Sequence, residues 1–273
     1  MTTGSITFIG GGNMARSLIA GLVRQGVPAT QIHVAEPVAA LREGLAADFG
    51  VTTYAEATEA AAHGTTWLLA VKPQVLREVC QSLQALARQQ PPLVVSIAAG
   101  ITSTQLQRWL GGDLPVVRAM PNTPALLGAG VTGLYATGRV DEGQRAQADR
   151  VLASAGRTVW IEDEAQMDSV TAVSGSGPAY VFLLAEAMEA AGIAQGLPAD
   201  AARTLVVQTL LGASRMLDEA GESPAELRRR VTSPNGTTQA AIERFQAGGF
   251  EALVEAALRA AQVRGQELSA ANE

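Results

Sequence analysis

The sequence predicts an α/β chain: a doubly wound, mostly parallel sheet followed by an all-helical dimerisation domain. Three observations predict it. A glycine turn, Gly10-Gly-Gly-Asn-Met-Ala15, joins a short apolar run to a helical pattern. Continuous apolar runs then alternate with segments of helical period as far as residue 160, the pattern of a parallel sheet covered on both faces. Beyond residue 162 the alternation stops and only helical patterns follow. The chain therefore divides into a Rossmann-like dinucleotide-binding domain, 1–162, and an all-helical domain for dimerisation and substrate, 163–273.

Residues 6–9 are the first strand. The turn after them matches GxGxxA, with Gly10, Gly12 and Ala15 at the marked positions. Gly10 makes the tight turn, Gly12 lets the backbone approach a pyrophosphate, and Ala15 lets the helix pack on the strand. The N–H groups and dipole at that helix start favour phosphate. Residues 32–35 form the second strand, which ends at Glu36-Pro37. A helix over 38–48 closes at Gly50. A short third strand covers 51–53, a helix 55–63, and the fourth strand 66–71. Pro73 suits the first turn of the next helix. Pro91-Pro92 breaks the chain before a fifth strand, 93–97. Thr102 and Gln105 have capping-box spacing and open another helix. Strands follow at 115–119 and 131–136. Asp141 caps a helix to residue 155, and 157–161 is the last strand. In the helical half, helices cover 178–191, 198–220, 237–247 and 250–268, with a further capping box at Ser223-Pro-Ala-Glu226. The first two are apolar nearly all round. Such helices must be buried, and so small a bundle cannot hide them all. The excess is expected to pack on another copy, making at least a homodimer.

Composition removes several classes of function. With 47% apolar and 17% charged residues and a net charge of −6, the chain reads as a compact soluble protein without a nucleic-acid face. One cysteine, Cys80, allows no internal disulfide and no cysteine metal cluster. His33 and His63 are too few for a histidine-built metal site, and no metal is expected. The N-terminus has no basic n-region, and the apolar stretches near 178–191 and 204–211 are too short to span a membrane. The expected location is the cytoplasm.

Among the 20 basic residues Lys72 is the one lysine, which leaves nineteen arginines. It follows the fourth strand, at the edge where open α/β sheets bind ligands. It either makes a structural salt bridge or meets cofactor or substrate with a compact ammonium; its position favours the second. The turns at that edge supply the candidate cofactor contacts: Ile9, Gly10, Gly11, Gly12, Asn13 and Met14, then Glu36, then Ala70, Val71, Lys72 and Pro73, then Ala99, Gly100 and Asn122. Glu36 falls 26 residues after Gly10, where a carboxylate can hydrogen-bond an adenosine ribose hydroxyl and repel a 2′-phosphate. The cofactor is NADPH or NADH, with NADH favoured; Arg42, in the next helix, is the residue that could still accept a phosphate.

Two irregular stretches, Ser174-Gly-Ser-Gly-Pro178 and Val231-Thr-Ser-Pro-Asn-Gly-Thr-Thr238, put hydroxyl and glycine residues just before helices. A cap needs one such residue. Four or more in each loop point to helix N-termini converging on a small anion. Ser174, Gly175, Ser176 and Gly177, with Gly236, Thr237 and Thr238, are the candidate substrate contacts.

Val173-Ser-Gly-Ser-Gly-Pro-Ala-Tyr180 and Val231-Thr-Ser-Pro-Asn-Gly-Thr-Thr238, with Gly10-Gly-Gly-Asn-Met-Ala15, Ala70-Val-Lys-Pro73, Ser96-Ile-Ala-Ala-Gly100, Arg118-Ala-Met-Pro-Asn-Thr-Pro124 and Gly196-Leu-Pro198, resemble the pyrroline-5-carboxylate reductase family over nearly the whole chain. The resemblance implies reduction of the cyclic imine 1-pyrroline-5-carboxylate to L-proline by NADPH or NADH, the last step of proline biosynthesis. It also implies a helical dimerisation domain and dimers assembled into larger rings. Two departures are visible. Asn235-Gly236 stands where the family usually has Gly-Gly, and Asn tolerates left-handed backbone. Glu36 stands where NADPH-using members often carry Ser or Asn.

The residues agree with that chemistry. The chain lacks a hydrolytic triad or metal cluster, and hydride transfer needs neither, because the cofactor carries the reaction. A cationic iminium nitrogen would be repelled by an ammonium. Lys72 is therefore expected beside the cofactor or the substrate carboxylate, with a hydroxyl from Thr171 or Thr238 at the nitrogen. Lys72, Thr171 and Thr238 are the candidate catalytic residues. A β-hydroxyacid dehydrogenase would require a lysine in the helical half, which has none. A non-catalytic nucleotide sensor would have no use for a second anion site.

Overall fold

The computed structural model describes residues 4–272. Strands and helices alternate through its first part: β1 (Ile6–Ile9), α1 (Asn13–Arg24), β2 (Ile32–Ala35), α2 (Ala39–Phe49), β3 (Thr52–Tyr54), α3 (Ala57–Ala61), β4 (Thr66–Leu69), α4 (Pro73–Gln89), β5 (Leu93–Ser96), α5 (Ser103–Leu110), β6 (Val116–Met120), β7 (Gly130–Ala136), α6 (Glu142–Leu152) and β8 (Gly156–Trp160). The strands make one sheet in the order β3-β2-β1-β4-β5-β6-β7-β8. All neighbours pair in parallel except β6 and β7, which are antiparallel. The link between those two holds only the 3₁₀ turn Thr123–Leu127, too short for a parallel crossover. The chain runs outward from β1 to β3 and then returns to β4. Strand order therefore reverses between β1 and β4, where a crevice opens at the carboxyl ends.

The apolar runs explain the layers. Every residue of β1, β4 and β5 is buried, and alternation along each strand sends neighbours to opposite faces. On one face Phe8, Val34, Leu68 and Val95 pack with Leu18 and Leu22 of α1. On the other, Ile9, Trp67, Leu69 and Val94 pack with Leu76, Cys80 and Leu83 of α4. Each fully buried aliphatic side chain contributes roughly 1.5–3 kcal/mol. The capping boxes form as read: Thr102 with Gln105 and Ser223 with Glu226 each bond reciprocally, and Asp141 does the same with Gln144.

The described residues up to Ser176, with those from Ala261 on, form one compact unit; Gly177–Ala260 form a second. The helices after the sheet are α7 (Met167–Val170), α8 (Gly177–Ala194), α9 (Ala199–Glu219), α10 (Pro224–Arg230), α11 (Thr237–Ala247) and α12 (Phe250–Ala271). The last residues of α12 belong to the first unit. There Gln105 Nε2 donates to Ser269 O at 3.1 Å, and Asn272 Nδ2 to Gly100 O at 3.4 Å.

In the second unit α8 and α9 pack on each other. As expected of helices with more apolar surface than so small a bundle can hide, much of that surface is bare within one chain. No residue of α8 is buried, and Phe182 and Leu183 are each 67% exposed. Two helices can cover only one stripe of each other, so the remaining apolar faces stay bare. No helix among the described residues is long and apolar enough to cross a membrane.

Candidate active site

A cavity of about 800 Å³ lies at the switch point, along the carboxyl ends of β1, β2 and β4. Ile9, Gly10, Gly12, Glu36, Ala70, Val71 and Lys72 all line it. The three glycines of the turn serve different ends. Gly10 has φ +105°, and a Cβ there would lie 2.8 Å from Ala70 O. Only glycine fits on both counts. Its N–H donates to Ala35 O at 2.8 Å. Gly12 caps α1 with φ −68°, a value open to any residue. What sets it apart is space, since a Cβ there would meet nothing within 4 Å. The first intrahelical bond runs from Arg16 N–H to Gly12 O at 2.9 Å, so the N–H groups of Asn13 and Met14 have no acceptor within the helix. Ala15 is buried in the core between α1 and the sheet.

Gly11 faces the other way. Its N–H donates to Glu36 Oε2 at 3.0 Å, and Glu36 Oε1 accepts from the Val38 N–H at 3.0 Å. Glu36 is thus a buried carboxylate held by two backbone donors. Arg42 turns back on the same connection, its Nη1 donating to the carbonyls of Glu36 and Pro37 at 2.8 Å. Lys72 is the N-cap residue of α4, ahead of Pro73 at the first helical position. Among the described residues no carboxylate pairs with Lys72, so the salt-bridge alternative finds no support.

Sequence reasoning missed the apolar part of the lining. Val38 and Leu41 from the start of α2, and Val75 and Val79 from α4, line the same cavity. Val38, Leu41 and Val75 are each about half exposed. The signal was available. In α4 the buried stripe runs through Leu76, Cys80 and Leu83; Val79 falls at its margin, partly buried against that core, and Val75 beyond it, apolar and half exposed.

The turns after β5 and β6 sit outside the cavity. Gly100 has φ +69° and lies under α12, where a Cβ would come 3.3 Å from Leu268 Cβ. Asn122 is buried and both ends of its amide are used: Oδ1 accepts from the Val131 N–H at 3.0 Å, and Nδ2 donates to Ser174 O at 3.2 Å.

The stretch 174–178 corrects an expectation. The sequence predicts a loop ahead of a helix; the chain is already helical through Gly175. α7 runs into a π turn, Thr171–Gly175, and Ser176 N–H donates to Thr171 O at 2.8 Å. Proline has no N–H, and its ring excludes the carbonyl four residues back from its usual bond. For Pro178 that carbonyl is Ser174 O, the one Asn122 caps. Pro178 lies in the first turn of α8, where a missing N–H is tolerated, and the π turn stands just before it; such turns are frequent at functional sites. The segment rests on the carboxyl end of β6, since a Cβ at Gly175 would come 2.5 Å from Met120 Cε. Thr171 Oγ1 donates to Met167 O at 2.9 Å and Ser174 Oγ to Val170 O at 3.2 Å. Both oxygens keep lone pairs as acceptors.

A charged cluster precedes this segment in the chain, where Glu164 meets α5 and β6. Glu164 accepts from Ser103 N–H at 2.7 Å and Ser103 Oγ at 2.5 Å, and from the buried Arg118 Nη1 at 2.9 Å. Burial pushes the carboxyl of nearby Asp168 up, against the pull of Arg118.

In the second unit, Asn235 has φ +58°, the left-handed conformation its residue type tolerates. Gln239 Oε1 accepts its N–H at 2.7 Å. Gly236 caps α11 without any side-chain bond, so the N–H groups of Thr237 and Thr238 open that helix without a partner inside it.

A doubly wound sheet, a glycine turn with uncommitted N–H groups and a long cavity at the switch point define a nicotinamide-dependent oxidoreductase. A family model described as NADP oxidoreductase, coenzyme F420-dependent, matches residues 5–100, and one for pyrroline-5-carboxylate reductase dimerisation matches 164–268. The chain is 54% identical to the pyrroline-5-carboxylate reductase of Pseudomonas aeruginosa, covering 98% of each. It is similar to the solved reductase of Coxiella burnetii, with TM-score 0.95 and 40% identity over 98% of this chain and 99% of that one. The Plasmodium falciparum enzyme, solved with NADP bound, gives TM-score 0.85 and 26% identity over the same shares. The chain belongs to the pyrroline-5-carboxylate reductase family. It catalyses the last step of proline biosynthesis.

Proposed function

We propose that the chain reduces 1-pyrroline-5-carboxylate to L-proline at the carboxyl edge of its sheet, with the dinucleotide held in the switch-point cavity. One observation carries this reading: the glycine turn leaves N–H groups uncommitted beside a Gly12 with open space over it. The relative solved with NADP bound supports a dinucleotide in this fold. Gly12, Asn13 and Met14 would hold the pyrophosphate. Glu36 would accept from the ribose, and Val38, Leu41, Val75 and Val79 offer apolar surface to the base. Ile9, Gly10, Gly11, Ala70, Val71, Pro73, Ala99, Gly100 and Asn122 shape or support the turns around it. When bound, the reduced nicotinamide supplies the hydride.

The protein's own part is to bind and orient the imine. Ser174, Gly175, Ser176 and Gly177, with Gly236, Thr237 and Thr238, are our candidates for the carboxylate. Lys72 would stand by the cofactor or that carboxylate, where its charge is attractive. Thr171 already donates its proton to Met167 O, so at the ring nitrogen it would act as an acceptor from the iminium N–H. Thr238 is the second candidate there. Once reduced, the ring nitrogen is basic and takes up a proton, which such a hydroxyl would relay.

Two finer readings go with this. The carboxylate of Glu36 favours NADH over NADPH, because a 2′-phosphate would meet a like charge. The bare faces of α8 and α9 form a homodimer, and dimers assemble further into a ring. Initial rates with pyrroline-5-carboxylate and each cofactor test the first reading. No turnover of the imine would overturn the placement, and a strong NADPH preference would overturn the cofactor choice alone.

A further inference from the structure

We infer that Glu36 is a positioning residue for the glycine turn, holding it in its phosphate-binding form whether or not a ribose lies against the carboxylate. The inference rests on the reading that the cavity holds the dinucleotide. Glu36 is 7% exposed. Its two carboxylate oxygens tie together two segments: the turn, through the Gly11 N–H, and the start of α2, through the Val38 N–H. Its main chain is fixed as well, with its N–H donating to Tyr54 O at 2.9 Å and its carbonyl accepting from Arg42. The fit is close. A Cβ at Gly11 would come 3.1 Å from Glu36 Cβ and 2.7 Å from Leu45 Cδ1.

Three consecutive glycines are costly to order, because glycine loses more backbone freedom than any other residue. Two bonds counter that cost here. Gly10 N–H is tied to Ala35 O, and Gly11 N–H to the Glu36 carboxylate. The second is charge-assisted and so the stronger kind. With both N–H groups directed inward, those of Gly12, Asn13 and Met14 are the ones left for a diphosphate. A carboxylate has about four lone-pair sites, and the two backbone donors leave room for ribose hydroxyls. One group therefore serves two tasks. Exchanging Glu36 for serine removes the repulsion of a 2′-phosphate and loosens the turn in the same step, so it does not convert the enzyme cleanly to NADPH.

Calorimetry on the full chain separates the tasks. Wild type, Glu36→Leu and Glu36→Gln are titrated with ADP and with 2′,3′-dideoxy-ADP. Dideoxy-ADP has no ribose hydroxyl for Glu36 to accept from. Glu36→Leu is expected to weaken dideoxy-ADP about tenfold, the factor that ~1.4 kcal/mol produces. Glu36→Gln keeps one acceptor oxygen and should recover part of the loss. In turnover the KM values for NADH and NADPH should both rise while kcat is retained. A group acting only through the ribose predicts the opposite sign, because removing a negative charge beside a diphosphate tightens it. Dideoxy-ADP bound equally or more tightly by both variants would overturn the inference, while leaving the cavity reading intact. Failure of wild type to bind ADP would overturn both. If Glu36→Leu does not fold, Glu36→Gln against wild type makes the same comparison.

Discussion

Alanine at Gly10 and alanine at Gly12 are expected to fail in different ways. At Gly10 the backbone has φ +105°, and the new methyl would lie 2.8 Å from Ala70 O. A non-glycine residue in such a region costs about 1–3 kcal/mol. Pushing the main chain at the end of β4 aside costs about another 1–3 kcal/mol. The Gly10→Ala protein should therefore lose roughly 2–6 kcal/mol of stability, a large part of a domain's total. At Gly12 φ is −68° and a Cβ meets nothing within 4 Å, so the cost to folding stays under about 1 kcal/mol, the scale of a weaker N-cap. The methyl instead enters the space assigned to the pyrophosphate. Overlap there should raise the cofactor KM roughly 5- to 150-fold, which corresponds to ~1–3 kcal/mol. Urea denaturation followed by circular dichroism, at one fixed protomer concentration, measures the first effect. Initial rates at saturating imine measure the second. A Gly12→Ala enzyme with an unchanged cofactor KM, or a Gly10→Ala protein as stable as wild type, would refute the reasoning.

The other expectations concern the helices, the imine and pH. Leu211 is 53% exposed in the single chain; if a partner covers it, Leu211→Arg buries an unpaired charge, and light scattering should show dissociation or loss of folded protein, whereas an intact active dimer would place the interface elsewhere. Thr238→Ala should raise the KM for pyrroline-5-carboxylate, with about 1.5–3 kcal/mol lost per carboxylate donor, and leave the cofactor KM unmoved; unaltered imine kinetics would remove Thr238 from the site. His33 stacks on His63 with centroids 4.9 Å apart and its Nδ1 lies 3.1 Å from Tyr54 Oη. Burial first, and His63 second, hold its pKa below the ordinary 6.5. The unfolded chain therefore binds the extra proton first, so stability falls as pH drops through about 6.5; in melting curves across that window His33→Gln should flatten the slope.

What could be read in the sequence was local. Caps at Thr102, Asp141 and Ser223 depend on residues three apart, and Asn235 on its own tolerance of positive φ. Alternating apolar runs placed each strand within a residue or two. What could not be read depends on distant partners. The π turn hides behind Ser174-Gly-Ser-Gly-Pro178, whose composition signals a break. Asn122, 52 residues away, donates to Ser174 O, the carbonyl that Pro178 leaves unbonded. Glu36 was legible as an acid at the right spacing, but its grip on Gly11 spans 25 residues. That α8 has apolar surface in excess of what one chain covers was legible from its composition; which residues a second copy would meet depends on partners outside the sequence.

The sheet unit is discontinuous in sequence: its body ends at Ser176, yet the residues from Ala261 on belong to it. On a ribosome the strands emerge first, and domains generally fold in order of synthesis. Here part of that unit must wait. Gly100 stays uncovered and Gln105 lacks its Ser269 acceptor until more than eighty further residues, Gly177–Ala260, have been made. A nascent chain arrested after β8 lacks these C-terminal contacts, so the turn after β5 and the start of α5 should be the last part of the sheet unit to become fixed.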